Sequence, residues 1–194
     1  MAAGAGRVSP QQAVAELFAL CATQGDGDYF GEPLSQLAHM HQAAELAAAE
    51  GADEELVLAA FCHDLGHFCA PLTAHNSMAG LGRRGHERVG AQWLLDRGFS
   101  ARLAGLVARH VDAKRYLCWR NPSYLAGLSP ASWQTLDWQG GPMDDREAAA
   151  FATDPLFADS LRLRRWDEAA KVSGGAPVDL GRWQALALRV RGAG

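Results

Sequence analysis

Apolar residues along this chain recur at spacings of three and four rather than two. Val14, Leu17, Phe18 and Cys21 stand at i, i+3, i+4 and i+7, the stripe of a helix that buries one face. Ser9 and Pro10 supply its start, because a serine side chain accepts from free first-turn N–H groups and proline needs no donor there. Gly25 ends it, and 25–32 reads as a loop. A second helix is expected from Pro33 through Leu34, Leu37, Ala38 and Ala44 to about Gly51. A third, capped by Asp53, carries Leu56, Ala59, Ala60 and His63. Residues 69–85 are rich in Pro, Gly, Asn and Arg and show no period, as in loops that act as lids or binding segments.

Beyond that loop the helical period returns. Helices are expected over about 85–97 and from the Ser100 cap through Leu103, Leu106, Val107 and His110. A short element over 122–128 is followed by helices from Ser129-Pro130 to Gly140, from about Asp144 to Pro155, over 156–171, and from Asp179 through Trp183 and Leu186. The pattern predicts an all-α helical bundle, a single domain over 1–194. Its metal and substrate core is expected at about 26–171, with helices 10–24 and about 179–191 packed on it.

Composition narrows the class. The 194 residues, 48% apolar and 21% charged, can bury roughly 70% of the surface of the unfolded chain, so the core needs neither disulfides nor a structural metal. The net charge of -4 argues against a nonspecific nucleic-acid binder. Cys21, Cys62, Cys69 and Cys118 form no C-x-x-C pair, which points to the reducing cytoplasm. No apolar run is long enough to span a membrane, and nothing behind Arg7 resembles an export signal.

His39, His63, His86 and His110 follow one another at intervals of 24, 23 and 24 residues on separate expected helices, with Asp64 directly after His63. One helix-loop-helix period of that length returns the chain to the same side of a bundle, so the four rings can converge. A single core histidine is usually satisfied by a carbonyl. Each buried polar group left without a partner costs about 1–3 kcal/mol, so a cluster of four histidines and an aspartate points to a metal. His63-Asp64-Leu65-Gly66-His67 differs from the H-E-x-x-H of zinc proteases in its acid, and that reading leaves the other histidines unexplained. Lys114, four residues after His110, and Arg164, three before Asp167, fall on the ligand faces of their helices. Both would border the metal site as countercharge for an anionic substrate.

His39, His63-Asp64 and Asp167 together resemble the H...HD...D pattern of the HD-domain superfamily. His86 and His110 resemble the six-ligand variant that holds two metals. Gln36-Leu37-Ala38-His39, Tyr29-Phe30-Gly31-Glu32, His86-Glu87-x-Val89-Gly90-Ala91, Trp138-Gln139-Gly140-Gly141 and Arg164-x-Trp166-Asp167-Glu168-Ala169 are similar to mixed-valent di-iron oxygenases of the PhnZ/TmpB type. The resemblance runs over about 26–171. It implies an HD-domain helical bundle and an O2-dependent dioxygenase of organophosphonate catabolism. Such an enzyme cleaves the carbon–phosphorus bond of a 1-hydroxy-2-(amino or trimethylammonio)ethylphosphonate to glycine or glycine betaine plus phosphate.

Carried over by residue, the resemblance implies two irons, Fe(II)/Fe(III). His39, His63, Asp64 and Asp167 would hold one, and Asp64, His86 and His110 the other, with Asp64 bridging. It implies phosphonate contacts from His67, Lys114, Ser132 and Arg164, and recognition of the substrate amine by Tyr29 and Glu32. Ser132 reads equally as a first-turn residue satisfied locally, and Tyr29 and Phe30 as a hydrophobic staple. A monomer or homodimer acting on a small organophosphonate is expected, with no nucleic acid or membrane partner. The alternative is an HD phosphohydrolase acting on a nucleotide or phosphate ester through His39, His63, Asp64 and Asp167. An inositol-oxygenase-like site and a non-catalytic sensor module are further rivals.

Overall fold

The computed structural model describes residues 8–29, 34–174 and 178–193. These form α1 (Pro10–Gln24), α2 (Gln36–Ala49), α3 (Glu54–Cys62), α4 (His86–Asp96), α5 (Ala101–Arg120), α6 (Pro122–Ala126), α7 (Pro130–Trp138), α8 (Asp145–Ala152), α9 (Phe157–Ala169) and α10 (Leu180–Gly192). No strand occurs among the described residues beyond two isolated bridges, so the all-α expectation holds.

Most helix starts fall where the capping residues place them. The Ser9, Asp53, Ser100 and Ser129 side chains accept from Gln12, Leu56, Leu103 and Ser132 N–H respectively, and Asp144 with Glu147 closes a capping box. Each satisfies donors that a helix end leaves unpaired. α2 departs from expectation: it begins at Gln36 behind Ser35, whose side chain accepts from Ala38 N–H. Pro33 lies outside the described residues.

α3 is the axis of the bundle. Every residue from Leu56 to Cys62 is buried, and α2, α5, α9 and α10 pack around it. Phe61 stacks between Phe18 of α1 and Trp183 of α10, at ring-centre distances of 5.6 and 5.5 Å. The last helix therefore packs on this chain's own core. Trp183 Nε1 also donates to His41 Nδ1 at 3.0 Å, which gives that histidine a local bond. No described helix is long and apolar enough to cross a membrane.

The end of α3 also differs from the sequence reading, which carried the helix through His63. The α-helix stops at Cys62, His63 caps it, and Asp64 (φ -97°, ψ 6°) leads into a 3-10 turn over Leu65–His67. His63, Asp64 and His67 thus sit on a tightened turn rather than along one α-helical face. The turn lies against the start of α4.

Candidate metal centre and its cleft

Five elements bring the cluster together: α2 carries His39, the end of α3 His63 and Asp64, α4 His86, α5 His110 and α9 Asp167. All six side chains are buried. His39, His63, His86 and His110 each place Nδ1 on a backbone carbonyl, of Ala170 (2.7 Å), Ala60 (2.8 Å), Arg83 (3.1 Å) and Val107 (2.8 Å). A carbonyl only accepts, so these nitrogens carry protons, and each ring turns Nε2 to the interior, where it offers a lone pair whenever the ring is neutral.

These lone pairs face one another. His39 Nε2 lies 3.0 Å from His63 Nε2, and His86 Nε2 lies 3.0 Å from His110 Nε2. Two acceptors at that distance repel unless a proton or a cation binds between them. Asp64 joins the pairs: Oδ2 is 3.4 Å from His63 Nε2 and 3.7 Å from His39 Nε2, while Oδ1 is 3.2 Å from His86 Nε2 and 3.6 Å from His110 Nε2. Asp167 Oδ1 lies 3.3 Å from His39 and 3.8 Å from His63. The donor set is all nitrogen and oxygen, which suits iron, manganese or zinc.

The charges in the cluster oppose its burial. Burial pushes His63 down, but the Asp64 and Asp167 carboxylates override it and lift the ring to about 9. Burial pushes His110 down to about 3, helped by the charge of His86 and His63. Burial raises both aspartates, yet His63 beside Asp64 and Arg164 beside Asp167 hold them well below the usual carboxylate range. Ionised carboxylates that keep a proton on a buried ring form a site complementary to cations, in which a metal would take that proton's place.

His67 differs from the other four histidines. Asp64, His67 and His86 also lie close enough to share an ion, but the Arg83 backbone N–H donates to His67 Nδ1 at 3.1 Å. Its proton is therefore on Nε2, so it presents a donor where its neighbours present lone pairs. Burial and the neighbouring His86 keep His67 neutral, well below the ordinary histidine value.

A cleft of about 500 Å³, its open mouth included, reaches Asp64, His86, His110 and Asp167 from outside. The 69–85 segment contributes Met78 and Leu81 to it. Arg84 of that segment lies over the Trp138 ring of α7 at 5.8 Å. Tyr29 lines the cleft and stacks on His39 at 3.9 Å, and burial raises its hydroxyl well above the usual range. Glu32, the other residue expected at the amine end, lies outside the described residues.

Lys114, Arg164 and Ser132 all line this cleft. Lys114 is 3% exposed and donates to Thr135 Oγ1 at 3.0 Å. Burial, and then Arg164, push its ammonium down to about 7. The Arg164 guanidinium donates from Nε to Tyr124 OH (2.8 Å), from Nη1 to Asp167 Oδ2 (2.5 Å) and from Nη2 to Glu168. It thereby fixes the carboxylate that faces His39, as hydrogen bonds behind metal ligands commonly do. Ser132 donates its backbone N–H to Ser129 Oγ at 3.3 Å, while its hydroxyl accepts from Lys171 at 3.1 Å.

Sequence reasoning assigned no role to Tyr124, Thr135 or Lys171, and Gln139 appeared only within a motif. Lys171 alone had a usable signal: Arg164, Asp167, Glu168 and Lys171 stand at i, i+3, i+4 and i+7, one helical face. Gln139 lines the cleft and its Oε1 is buried without a partner.

Fold and site together define an all-helical protein whose core holds two histidine pairs joined by one aspartate. The family model for the HD domain matches residues 36–154, and the chain belongs to the HD-domain family. It is 40% identical over 148 residues to the (1-hydroxy-2-(trimethylamino)ethyl)phosphonate dioxygenase (glycine-betaine-forming) of Leisingera caerulea, covering 76% of this chain and 74% of that protein. It is 39% identical over 172 residues to the hydroxymethylphosphonate dioxygenase of Gimesia maris, covering 89% of this chain and 85% of that protein. An uncharacterised protein of Acanthamoeba polyphaga mimivirus is 41% identical over 148 residues, covering 76% of this chain and 68% of its own length.

Proposed function

We propose that the chain is an O2-dependent di-iron oxygenase that cleaves the carbon–phosphorus bond of a small 1-hydroxyphosphonate. The observation that carries this reading is the pair of facing Nε2 lone pairs, each 3.0 Å apart, with one Asp64 oxygen turned to each pair. Phosphonate dioxygenases among the relatives support it. The balance is R–CH(OH)–PO3(2-) plus O2 giving R–COO(-), HPO4(2-) and H(+). The C–H and C–P bonds break, carbon is oxidised, and each product gains one oxygen atom.

His39, His63, Asp64 and Asp167 would hold one iron, and Asp64, His86 and His110 the other. Two irons there would supply O2 binding and the redox chemistry. The chain's own share is binding, orientation and charge compensation. Lys114 spends one of its three donors on Thr135, and Arg164 spends three of its five on Tyr124, Asp167 and Glu168. The remainder are available to phosphonate oxygens, with the guanidinium plane already fixed. The His67 Nε2–H is a neutral donor toward the same region. Tyr29, over His39, would meet a substrate ammonium, whether primary or trimethylated, and the resemblance gives Glu32 the same role.

The test is phosphate release by iron-loaded protein, in air and without O2. Substrates are 2-amino-1-hydroxyethylphosphonate, its trimethylammonio analogue and hydroxymethylphosphonate. O2-dependent release from one of the three is expected, and the preferred compound names the substrate. Release from phosphate esters that ignores O2, with none from the phosphonates, would move the chain to the HD phosphohydrolases.

A further inference from the structure

Glu168 stands between two cations: its carboxylate accepts from Arg164 Nη2 and, at 3.0 Å, from Lys171 Nζ. Lys171 lies past the last residue of α9. Its ammonium nevertheless reaches the first turn of α7, donating to Ser129 Oγ and Ser132 Oγ, both at 3.1 Å. Lys171 and Ser132 line the cleft, and none of the roles above uses Lys171.

An ammonium has donors and no acceptor. Ser132 Oγ therefore accepts from Lys171, and its own proton remains for an acceptor in the cleft. Thr135, one turn further along α7, is held in the same way by Lys114. The cleft face of α7 is thus bracketed by ammonium groups from α5 and from the chain after α9. Among the described residues, Arg164 and Lys171 share the Glu168 carboxylate, and Arg164 also holds Asp167. A mere tie between α9 and α7 would not call for a poorly exposed charge, which is costly to desolvate. An anionic ligand in the cleft would make use of it.

We infer that Lys171 is a positioning residue for the substrate's anionic group: it fixes the Ser132 hydroxyl as a donor into the cleft and adds a third positive charge beside Lys114 and Arg164. The inference rests on the reading of this cleft as a phosphonate site.

The test titrates inorganic phosphate into iron-loaded wild-type, Lys171→Met, Lys171→Arg, Ser132→Ala and Lys171→Met/Ser132→Ala proteins by calorimetry, with iron content measured for each. Lys171→Met is expected to weaken phosphate binding about tenfold or more at unchanged iron content, as loss of a charge-assisted bond does. Lys171→Arg, which keeps the charge, should stay within about threefold of wild type. Adding Ser132→Ala to Lys171→Met should cost little more, because the two act as a unit. Lys171→Gln, neutral but still a donor, serves if the Met variant does not fold, with the same loss expected. No phosphate binding by the wild-type protein, or an unchanged affinity in the neutral variant, overturns the inference. Phosphate binding that depends on Lys171 with no phosphonate turned over sinks the oxygenase reading and leaves this inference standing. Phosphonate turnover with a KM indifferent to Lys171→Met sinks this inference alone.

Discussion

Gly66 lies directly against the His86 carbonyl: a Cβ on Gly66 would come within 1.9 Å of His86 O and 2.8 Å of the Gly90 amide nitrogen. Those atoms are backbone and cannot swing aside. Only glycine lets the 3-10 turn after Asp64 settle on the start of α4, and that approach sets His86 Nε2 3.2 Å from Asp64 Oδ1.

Gly66→Ala should therefore separate the turn from α4. Overpacking against fixed backbone is expected to cost about 3 kcal/mol or more. Bound metal should fall toward the share held by His39, His63 and Asp167. Thermal denaturation and metal analysis of the purified variant check both, and a full metal complement would show that the turn tolerates the displacement.

Asp64→Ala removes the one group that faces both histidine pairs, so it should empty both metal positions. His41→Ala, which removes the acceptor of the Trp183 Nε1–H and touches no residue of the cluster, should keep the metal and lose about 1 kcal/mol of stability. Elemental analysis of the two variants side by side decides the matter. Iron retention near wild type in Asp64→Ala would refute the bridging arrangement.

Lys114 couples binding to pH. Its ammonium, ordinarily near 10.5, is pushed down to about 7 by burial, so in the free protein it is charged below that value and neutral above it. kcat/KM for the phosphonate should fall as pH rises through about 7. Between about 7 and 10.5 the unfolded chain binds a proton that the folded one has released, so folding stability should rise with pH across that window. Lys114→Met should flatten this rise and be at least as stable as wild type at neutral pH, while raising KM about tenfold or more at unchanged iron content. A loss of stability at pH 7 in that variant would contradict the burial cost assigned to the ammonium.

Arg164 holds Asp167, Glu168 and Tyr124 with a single plane. Arg164→Lys keeps the charge but cannot span three partners. Metal affinity, measured by competition with a chelator, should drop about 10- to 100-fold, as it does when support behind a ligand is lost. Tyr124→Phe leaves Arg164 Nε without its acceptor and should cost about 1–3 kcal/mol. An Arg164→Lys protein with wild-type metal affinity would show that Asp167 is oriented by other groups.

The sequence by itself determined the helices and most of their starts, because amphipathic spacing and capping are local: Ser9, Asp53, Ser100 and Ser129 each act on an N–H three residues away. The near-equal histidine spacing made their convergence legible, and helical periodicity put Lys114 and Arg164 on the ligand faces. Tertiary structure decided the rest, because it depends on what lies across from each side chain. α3 stops at Cys62 rather than running through His63, in a turn that packs against α4. Which nitrogen each histidine offers is set by carbonyls and one N–H from elsewhere in the fold: Ala170 O, 131 residues along the chain, turns His39 into a lone-pair donor, and Arg83 N–H turns His67 into a proton donor. Tyr124, Thr135 and Lys171 likewise gained roles only when α6, α7 and the end of α9 met around Arg164 and Lys114. The positions of Tyr124 and Thr135 carry no trace of that meeting, and Lys171 shows only its place on the Arg164 face, because hydrogen bonds between distant segments are fixed by packing and not by spacing along the chain.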